Sequence, residues 1–117
     1  MKKVILAEDD EIIASLLKTL LSMEGFQVFA AETRPQQILQ AVHENRPDVL
    51  LLDVHLTGGS GLDVVRELRA QSSNEPRVIM ISGMDMREQC LQAGADAFLL
   101  KPFMPDDLLN TIRRLTS

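Results

Sequence analysis

Cysteine and large aromatic residues are nearly absent from this chain. Cys90 is the single cysteine, so no disulfide can form within the chain, and four Phe stand beside no Tyr or Trp. The core must therefore be built mainly from Leu, Ile, Val, Ala and Met. Without a disulfide role, Cys90 is expected to pack in a helix, with a redox role as the alternative.

A basic excess and a long hydrophobic run are also missing. The 12 Lys and Arg are outnumbered by 17 Asp and Glu, and the resulting net charge of −5 disfavours a surface for nucleic acid, which is bound by clustered cations. The longest apolar runs are too short to span a bilayer. No charged and then apolar leader precedes the first apolar run, so we expect a cytoplasmic chain that binds neither membrane nor nucleic acid directly.

The 117 residues suit one domain, 1–117, with 45% apolar and 25% charged residues. Five short apolar runs predict strands at 3–7, 27–31, 49–52, 78–81 and 97–100. The segments between them predict helices over about 10–24, after Thr33-Arg34-Pro35 with a capping residue, after the loop 57–61, over about 85–93, and from near Pro105. The alternation predicts an α/β fold with a parallel sheet and helices on both faces.

The first predicted helix shows the expected apolar spacing. Its Ile and Leu residues recur every three to four positions and are expected to form one buried face: they are Ile12, Ile13, Leu16, Leu17, Leu20 and Leu21.

Polar side chains follow four of the five predicted strands. Ligands bind at the carboxyl ends of parallel strands, so these residues predict one shared site. They are Glu8 and Asp9 after the first strand, Asp53 after the third, Ser82 after the fourth and Lys101 after the fifth.

Three of these residues are carboxylates. Like charges a few ångströms apart repel by on the order of 4 kcal/mol per pair at an effective dielectric near 20, so Glu8, Asp9 and Asp53 would need a cation, for which Mg²⁺ is the natural candidate. The alternative is that Glu8, Asp9 and Asp10 only cap the first helix. Asp10 is expected to cap it in either case.

The remaining two residues favour phosphoryl transfer. Lys101 can neutralise one phosphoryl oxygen and Ser82 can donate a hydrogen bond to another, with Asp53 as the nucleophile. Taken singly, Ser82 also suits an ordinary turn and Lys101 a solvated loop. Their joint placement at strand ends favours the shared site.

The ordered set of motifs resembles the receiver domain of two-component response regulators, the CheY-like family, over essentially the whole chain. Glu8-Asp9 matches the acidic pair of that family, Asp53 its phosphoacceptor, Ser82 its strand-4 hydroxyl, and Lys101-Pro102-Phe103 its Lys-Pro-Phe signature. The resemblance implies a doubly wound (βα)5 flavodoxin-like fold, with a five-stranded parallel sheet of order 2-1-3-4-5.

The resemblance also implies a chemistry. A histidine kinase, a phosphotransfer protein or a small phosphodonor would phosphorylate Asp53, in a signalling protein that is not an enzyme but assists its own phosphorylation and dephosphorylation. Asp9, Asp53 and the backbone carbonyl of His55 would bind Mg²⁺, which Mn²⁺ could replace, and Glu8 would bind it through water. A cis Lys101-Pro102 bond would aim Lys101 at the site.

Switching follows from the same resemblance. Ser82 would move toward the phosphoryl group and Phe98 would turn inward behind it, although Phe98 also suits plain core. His55 and Met84 would influence phosphoryl lifetime. His55 would make that lifetime dependent on pH, unless it only faces solvent; His43 is expected at the surface.

Three features depart from the family pattern. Thr57 replaces a common Pro, Gly83 replaces a common Ala, and Ser82 to Lys101 spans 19 positions, fewer than is typical. The shortening falls before or within the fourth helix, which with the fifth strand and fifth helix would face a downstream protein, a fused output domain or a second copy in a homodimer. The chain is either a complete regulator or part of a longer one.

Two other functions compete with this interpretation. Asp53-Val54-His55-Leu56-Thr57 partly resembles the nucleophile motif of haloacid-dehalogenase-type phosphatases, but His55 stands where those enzymes need a second acid. The other competitor is a receiver-like interaction module that is never phosphorylated.

Overall fold

The five strands of the main sheet alternate with helices along the chain, as the sequence predicts. A computed structural model describes residues 1–72 and 75–117. The strands are β1 (Lys3–Ala7), β2 (Gln27–Ala30), β3 (Val49–Asp53), β4 (His55–Leu56), β5 (Gly59–Ser60), β6 (Arg77–Ser82) and β7 (Ala97–Leu100). The helices are α1 (Glu11–Met23), α2 (Pro35–Asn45), α3 (Gly61–Gln71), α4 (Arg87–Ala93) and α5 (Pro105–Thr116).

The main sheet is parallel and has the predicted order. Its strands run β2-β1-β3-β6-β7, which is 2-1-3-4-5 once the short pair β4 and β5 is set aside. β3 lies at the centre and is buried along its whole length. The predicted α/β fold is therefore confirmed, and the strand order reverses between β1 and β3, the point at whose carboxyl ends such sheets bind ligands.

Two apolar layers cover the two faces of the sheet. Leu50 and Leu52 of β3 pack with residues from α2, α3 and α4, including the fully buried Cys90. Val49 and Leu51 point the other way and pack with residues from α1 and α5. Alternating side chains of one strand thus contribute to both layers, as a central parallel strand should. Within the described ranges, no helix combines the length and apolar character that crossing a membrane requires.

The predicted apolar face of α1 is too wide. Leu17 and Leu21 are buried, but Ile12 and Leu16 are 74% and 65% exposed. A helix turns about 100° per residue, so the six predicted positions spread over roughly half its circumference, and Ile12 and Leu16 lie on the side away from the core. The prediction was wrong for these two residues.

Helix starts differ from the prediction in two places. The residue before α2 is Arg34, which makes no side-chain cap, and Thr33 instead donates its hydroxyl to Thr57 at 3.2 Å. α4 begins at Arg87 because the carboxylate of Asp85 accepts the Arg87 N–H at 3.3 Å and holds the preceding turn. The remaining boundaries agree to within one or two residues.

A small hairpin that the sequence analysis missed lies between β3 and α3. β4 and β5 pair antiparallel, with His55 opposite Ser60. The Ser60 hydroxyl then caps α3 by accepting the Leu62 N–H at 3.1 Å. Gly61 follows, and a Cβ there would collide with the main-chain oxygen of Asp53, so only glycine permits this close approach.

Arg69 connects α3 to the residues that precede β6 and β7. Its guanidinium donates to the carbonyls of Gly94 at 2.8 Å and Pro76 at 2.9 Å, and to the Asp96 carboxylate at 2.9 Å. Asp96 also accepts the Val78 N–H at 2.8 Å, at the start of β6. One side chain therefore joins α3, β6 and the loop before β7.

Candidate functional site

Four strands end at one edge of the sheet and bring together side chains that are far apart in sequence. Glu8 follows β1, Asp53 ends β3 and Ser82 ends β6. Lys101 follows β7, and its N–H donates to the Ser82 carbonyl at 2.8 Å, which continues the pairing of β6 with β7 to the edge. The peptide bond from Lys101 to Pro102 is cis, as expected.

The Lys101 ammonium lies between two carboxylates. Its Nζ donates to Glu8 Oε1 at 2.6 Å and to Asp53 Oδ2 at 2.9 Å. The side chains of Glu8 and Asp53 are only 2% and 9% exposed, so both charges depend on this ammonium rather than on water.

Burial sets the ionisation of this group. It raises the pKa of the Glu8 carboxyl, an effect that Lys101 opposes and the neighbouring Asp53 reinforces. Burial alone would lower the pKa of the Lys101 ammonium, but hydrogen bonds to the two carboxylates outweigh it, and the pKa lies above its usual range. Lys101 therefore stays charged across the neutral range.

Main-chain N–H groups complete the carboxylates' hydrogen bonds. The N–H of His55 donates to Asp53 Oδ1 at 3.0 Å, and the N–H of Asp10 donates to Glu8 Oε2 at 3.3 Å. Asp10 itself caps α1 by accepting the N–H groups of Ile12 and Ile13, which confirms its predicted role. Of the acidic residues after β1, Glu8 thus pairs with Lys101, whereas Asp10 caps α1.

Asp9 lies at the exposed rim of the site. The hydroxyl of Thr57 donates to Asp9 Oδ1 at 3.3 Å, and Thr57 in turn accepts the hydroxyl of Thr33. In the sequence, Thr57 stands out only as a replacement for Pro and as the end of the phosphatase-like motif, and Thr33 stands out only as a helix start. A contact between two loops leaves no periodic signal in the sequence.

The oxygen donors suit a divalent cation in their chemistry and charge. Glu8 and Asp53 share the ammonium of Lys101, and Asp9 follows Glu8 in the chain, so three carboxylates and one ammonium leave two negative charges at this edge, and oxygen donors are those that Mg²⁺ prefers. In the part of the chain that the structure describes, no three His, Cys, Asp or Glu side chains are grouped to hold a metal ion. Lys101 supplies the positive charge between Glu8 and Asp53.

Ser82, at the end of β6, and Phe98, in β7, are both buried. Ser82 is fully buried, and its hydroxyl oxygen accepts the Met84 N–H at 3.1 Å while retaining its own proton to donate. Phe98 is already buried, 2% exposed, with the Arg87 guanidinium 5.7 Å from the ring centroid. Burial of this ring therefore needs no further inward turn.

The side chains of the other predicted residues are exposed and have no side-chain hydrogen bond with Glu8, Asp53 or Lys101 in the described part of the chain. His55 and His43 have exposed side chains, and Met84 is 63% exposed. Helix α4 has only seven residues and lies in the short segment between Ser82 and Lys101.

Comparison with known proteins gives one consistent result. The family model described as the response regulator receiver domain matches residues 4–113. The DNA-binding response regulator MtrA of Mycolicibacterium paratuberculosis is 38% identical over 114 residues, which cover 96% of this chain and 50% of that protein. The KDP operon transcriptional regulatory protein KdpE of Escherichia coli is 35% identical over 115 residues, covering 97% and 50%. The chain thus spans about half the length of these relatives.

Solved structures agree over nearly the whole chain. The receiver domain of the Francisella response regulator 1452 has a TM-score of 0.91 and 29% identity, and the match covers 99% of this chain and 97% of that one. The receiver domain of the sensor histidine kinase PA1611 from Pseudomonas aeruginosa has a TM-score of 0.88 and 25% identity over 98% and 97%. That structure holds a magnesium ion in its active site cleft.

Proposed function

Because the chain belongs to the response regulator receiver domain family, we propose that residues 1–117 form a receiver whose Asp53 accepts a phosphoryl group. Receiver domains of this family are signalling domains of two-component systems. The observation that carries the proposal is the Lys101 ammonium, 2.9 Å from Asp53 Oδ2 and 2.6 Å from Glu8 Oε1 at the carboxyl edge of the sheet. A buried nucleophile, a fixed cation and a second carboxylate are the parts that phosphoryl transfer needs.

In the proposed reaction, a carboxylate oxygen of Asp53 forms a bond to phosphorus. The bond from phosphorus to the donor's imidazole nitrogen, or to the acetate oxygen of acetyl phosphate, breaks, and the leaving group keeps the electron pair. Lys101 then lies within reach of a phosphoryl oxygen, and the Ser82 hydroxyl has a proton to donate to another. Both groups stabilise negative charge that develops away from Asp53.

The proposed cation ligands are Asp9, Asp53 and the backbone carbonyl of His55, with Glu8 acting through water. A bound Mg²⁺, or Mn²⁺ in its place, would supply further positive charge against the phosphoryl oxygens. Support comes from the two uncompensated negative charges at this edge and from the magnesium ion in the related Pseudomonas receiver.

The proposed output depends on Ser82 and Phe98, which link the phosphoryl site to the face formed by α4, β7 and α5. Movement of the Ser82 hydroxyl toward the phosphoryl group would break its bond with the Met84 N–H and disturb the packing around Phe98. Phosphorylation shifts the equilibrium between the conformations before and after this movement only by the difference in free energy of the phosphoryl contacts that each conformation makes. His55 and Met84, whose side chains are exposed, are proposed to flank the phosphoryl group and to influence its lifetime.

The proposed partners are a histidine kinase or phosphotransfer protein that supplies the phosphoryl group, and a protein or fused output domain that reads the α4, β7 and α5 face. A homodimer through that face is a further option. The relatives named as DNA-binding or transcriptional regulators are about twice as long as this chain. We assign no nucleic-acid contact to residues 1–117, whose net charge is −5.

Intact-mass measurement after incubation with acetyl phosphate and Mg²⁺ tests the proposal. Wild type is expected to gain one phosphate, Asp53→Asn none, and the matched control Asp63→Asn, on the exposed surface of α3, the same as wild type. No uptake by wild type would favour an interaction module. Rapid release of phosphate from many phosphomonoesters would favour a phosphatase. Uptake by Asp53→Asn equal to wild type would refute the assignment of Asp53.

A further inference from the structure

Three loops meet beside the phosphoryl site at the side chain of Thr57. Its hydroxyl is 3.3 Å from Asp9 Oδ1, in the loop after β1, and 3.2 Å from the hydroxyl of Thr33, in the loop after β2. Thr57 belongs to the hairpin of β4 and β5, after β3. The two hydroxyls therefore connect the loops that follow β1, β2 and β3 beside the carboxylate of Asp9.

The direction of these hydrogen bonds follows from their chemistry. An ionised carboxylate only accepts, so Thr57 must donate its proton to Asp9. The oxygen of Thr57 is then left as an acceptor, and Thr33 fills that role as donor. Each hydroxyl has one defined orientation, which fixes the rotamer of Thr57 toward Asp9.

Packing of the hairpin supports the same arrangement independently. A Cβ at Gly59 would lie 2.6 Å from Pro35 Cγ, so the hairpin rests directly on the first residue of α2. Thr33 is two residues before Pro35. Contact between Gly59 and Pro35 thus holds Thr57 and Thr33 in reach of each other.

Asp9 has few other constraints. It is exposed, and it forms no salt bridge with any residue in 1–72 or 75–117. Glu8 and Asp53, by contrast, are buried and paired with Lys101. Among the three carboxylates, Asp9 is therefore the one whose orientation depends on a single neutral hydroxyl.

We propose that Thr57, oriented by Thr33, is a positioning residue that holds the Asp9 carboxylate in place for the cation of the phosphoryl site. The proposal rests on the function proposed above.

Isothermal titration with Mg²⁺ tests the proposal on wild type, Thr57→Val, Thr57→Ser and Thr33→Val. Valine keeps the branched shape and removes the hydroxyl, so Thr57→Val is expected to bind Mg²⁺ about two- to tenfold more weakly, the range for one hydrogen bond of ordinary net strength. Thr57→Ser is expected to bind as wild type does. Thr33→Val is expected to weaken binding by less than Thr57→Val does. Thr19→Val, on the exposed surface of α1, is the matched control and should bind unchanged.

A measurement without metal separates this inference from the proposed function. In Mg²⁺-free buffer at neutral pH, the ¹³C resonance of the Asp9 carboxyl carbon is expected to move in Thr57→Val and to stay at the wild-type position in Thr57→Ser and Thr19→Val. Unchanged resonance and unchanged Mg²⁺ affinity in Thr57→Val would overturn the inference. If the Asp9 resonance moves in Thr57→Val but wild type binds no Mg²⁺, the contact between Thr57 and Asp9 is supported and the cation site of the proposed function is refuted.

Discussion

Replacing Lys101 with Met removes the one positive charge from between two buried carboxylates. Its Nζ lies 2.6 Å from Glu8 Oε1 and 2.9 Å from Asp53 Oδ2. Charge-assisted hydrogen bonds contribute about 1.5–3 kcal/mol each, and the 23% exposure of the Lys101 side chain favours the lower end of that range. We therefore expect Lys101→Met to lower the free energy of unfolding by about 3 kcal/mol at neutral pH without Mg²⁺.

The expected loss depends on pH through Glu8. Burial raises the pKa of this carboxyl in the folded protein, and removal of Lys101, which opposes that rise, raises the pKa further. A group with a raised folded pKa contributes its full stability below its unfolded pKa and loses that contribution as the pH rises through the folded value. The variant should therefore approach wild-type stability below the ordinary carboxyl value of 4.5 and fall behind as the pH rises above it.

Urea unfolding followed by far-ultraviolet circular dichroism measures this difference at several pH values between about 4 and about 8. Lys18→Met, on the exposed surface of α1, is the control for loss of a positive charge far from the site. The pKa of Lys101 lies above 10.5, so its own titration does not enter this range. A Lys101→Met variant that matches Lys18→Met at every pH, or whose deficit is constant with pH, would refute the reasoning.

Three further predictions concern packing. Gly61→Ala places a Cβ against the main-chain oxygen of Asp53 and is expected to cost about 1–3 kcal/mol in urea unfolding, whereas Gly83→Ala, with nothing within 4 Å, should be neutral; equal stabilities would contradict this. Arg69→Leu leaves two carbonyls without this donor, while Asp96 keeps Arg77 and the Val78 N–H, and is expected to cost about 1–3 kcal/mol; wild-type stability would exclude the role of this guanidinium. Burial raises the pKa of the Cys90 thiol, so iodoacetamide should modify it at least about tenfold more slowly in folded than in unfolded protein, and equal rates by intact mass would refute its burial.

The fold could be predicted from the sequence because β1, β3 and β6 are buried on both faces. The run Val49–Leu52 is apolar without alternation, which is typical of a central parallel strand, and it lies at the centre of the sheet. Once the strands are parallel, their carboxyl ends must meet at one edge. The gathering of Glu8, Asp53, Ser82 and Lys101 at that edge then follows from topology and needs no knowledge of side-chain positions.

Contacts that depend on loop geometry could not be predicted in the same way. The hairpin after β3 has two residues in each strand, too few for a periodic pattern, and it decides which partner Thr57 reaches. The pairing of Lys101 with Glu8 as well as Asp53 depends on how a long side chain folds over the edge. Periodicity also cannot say which side of a wide apolar arc faces the core, which is why Ile12 and Leu16 were misplaced.

The hydrogen bond between Lys101 and Glu8 joins residues 93 positions apart, so the two residues are synthesised at different times. On a ribosome that adds about 5–20 residues per second, Glu8 exists for several seconds before Lys101 is made. Asp53 precedes Lys101 by 48 positions, so for about the second half of that interval the nascent chain has Asp53 but not the ammonium that faces it. The proposed phosphoryl site is thus completed only when β7 pairs with β6, so a chain whose synthesis stops before β7 carries the proposed acceptor Asp53 without the site around it.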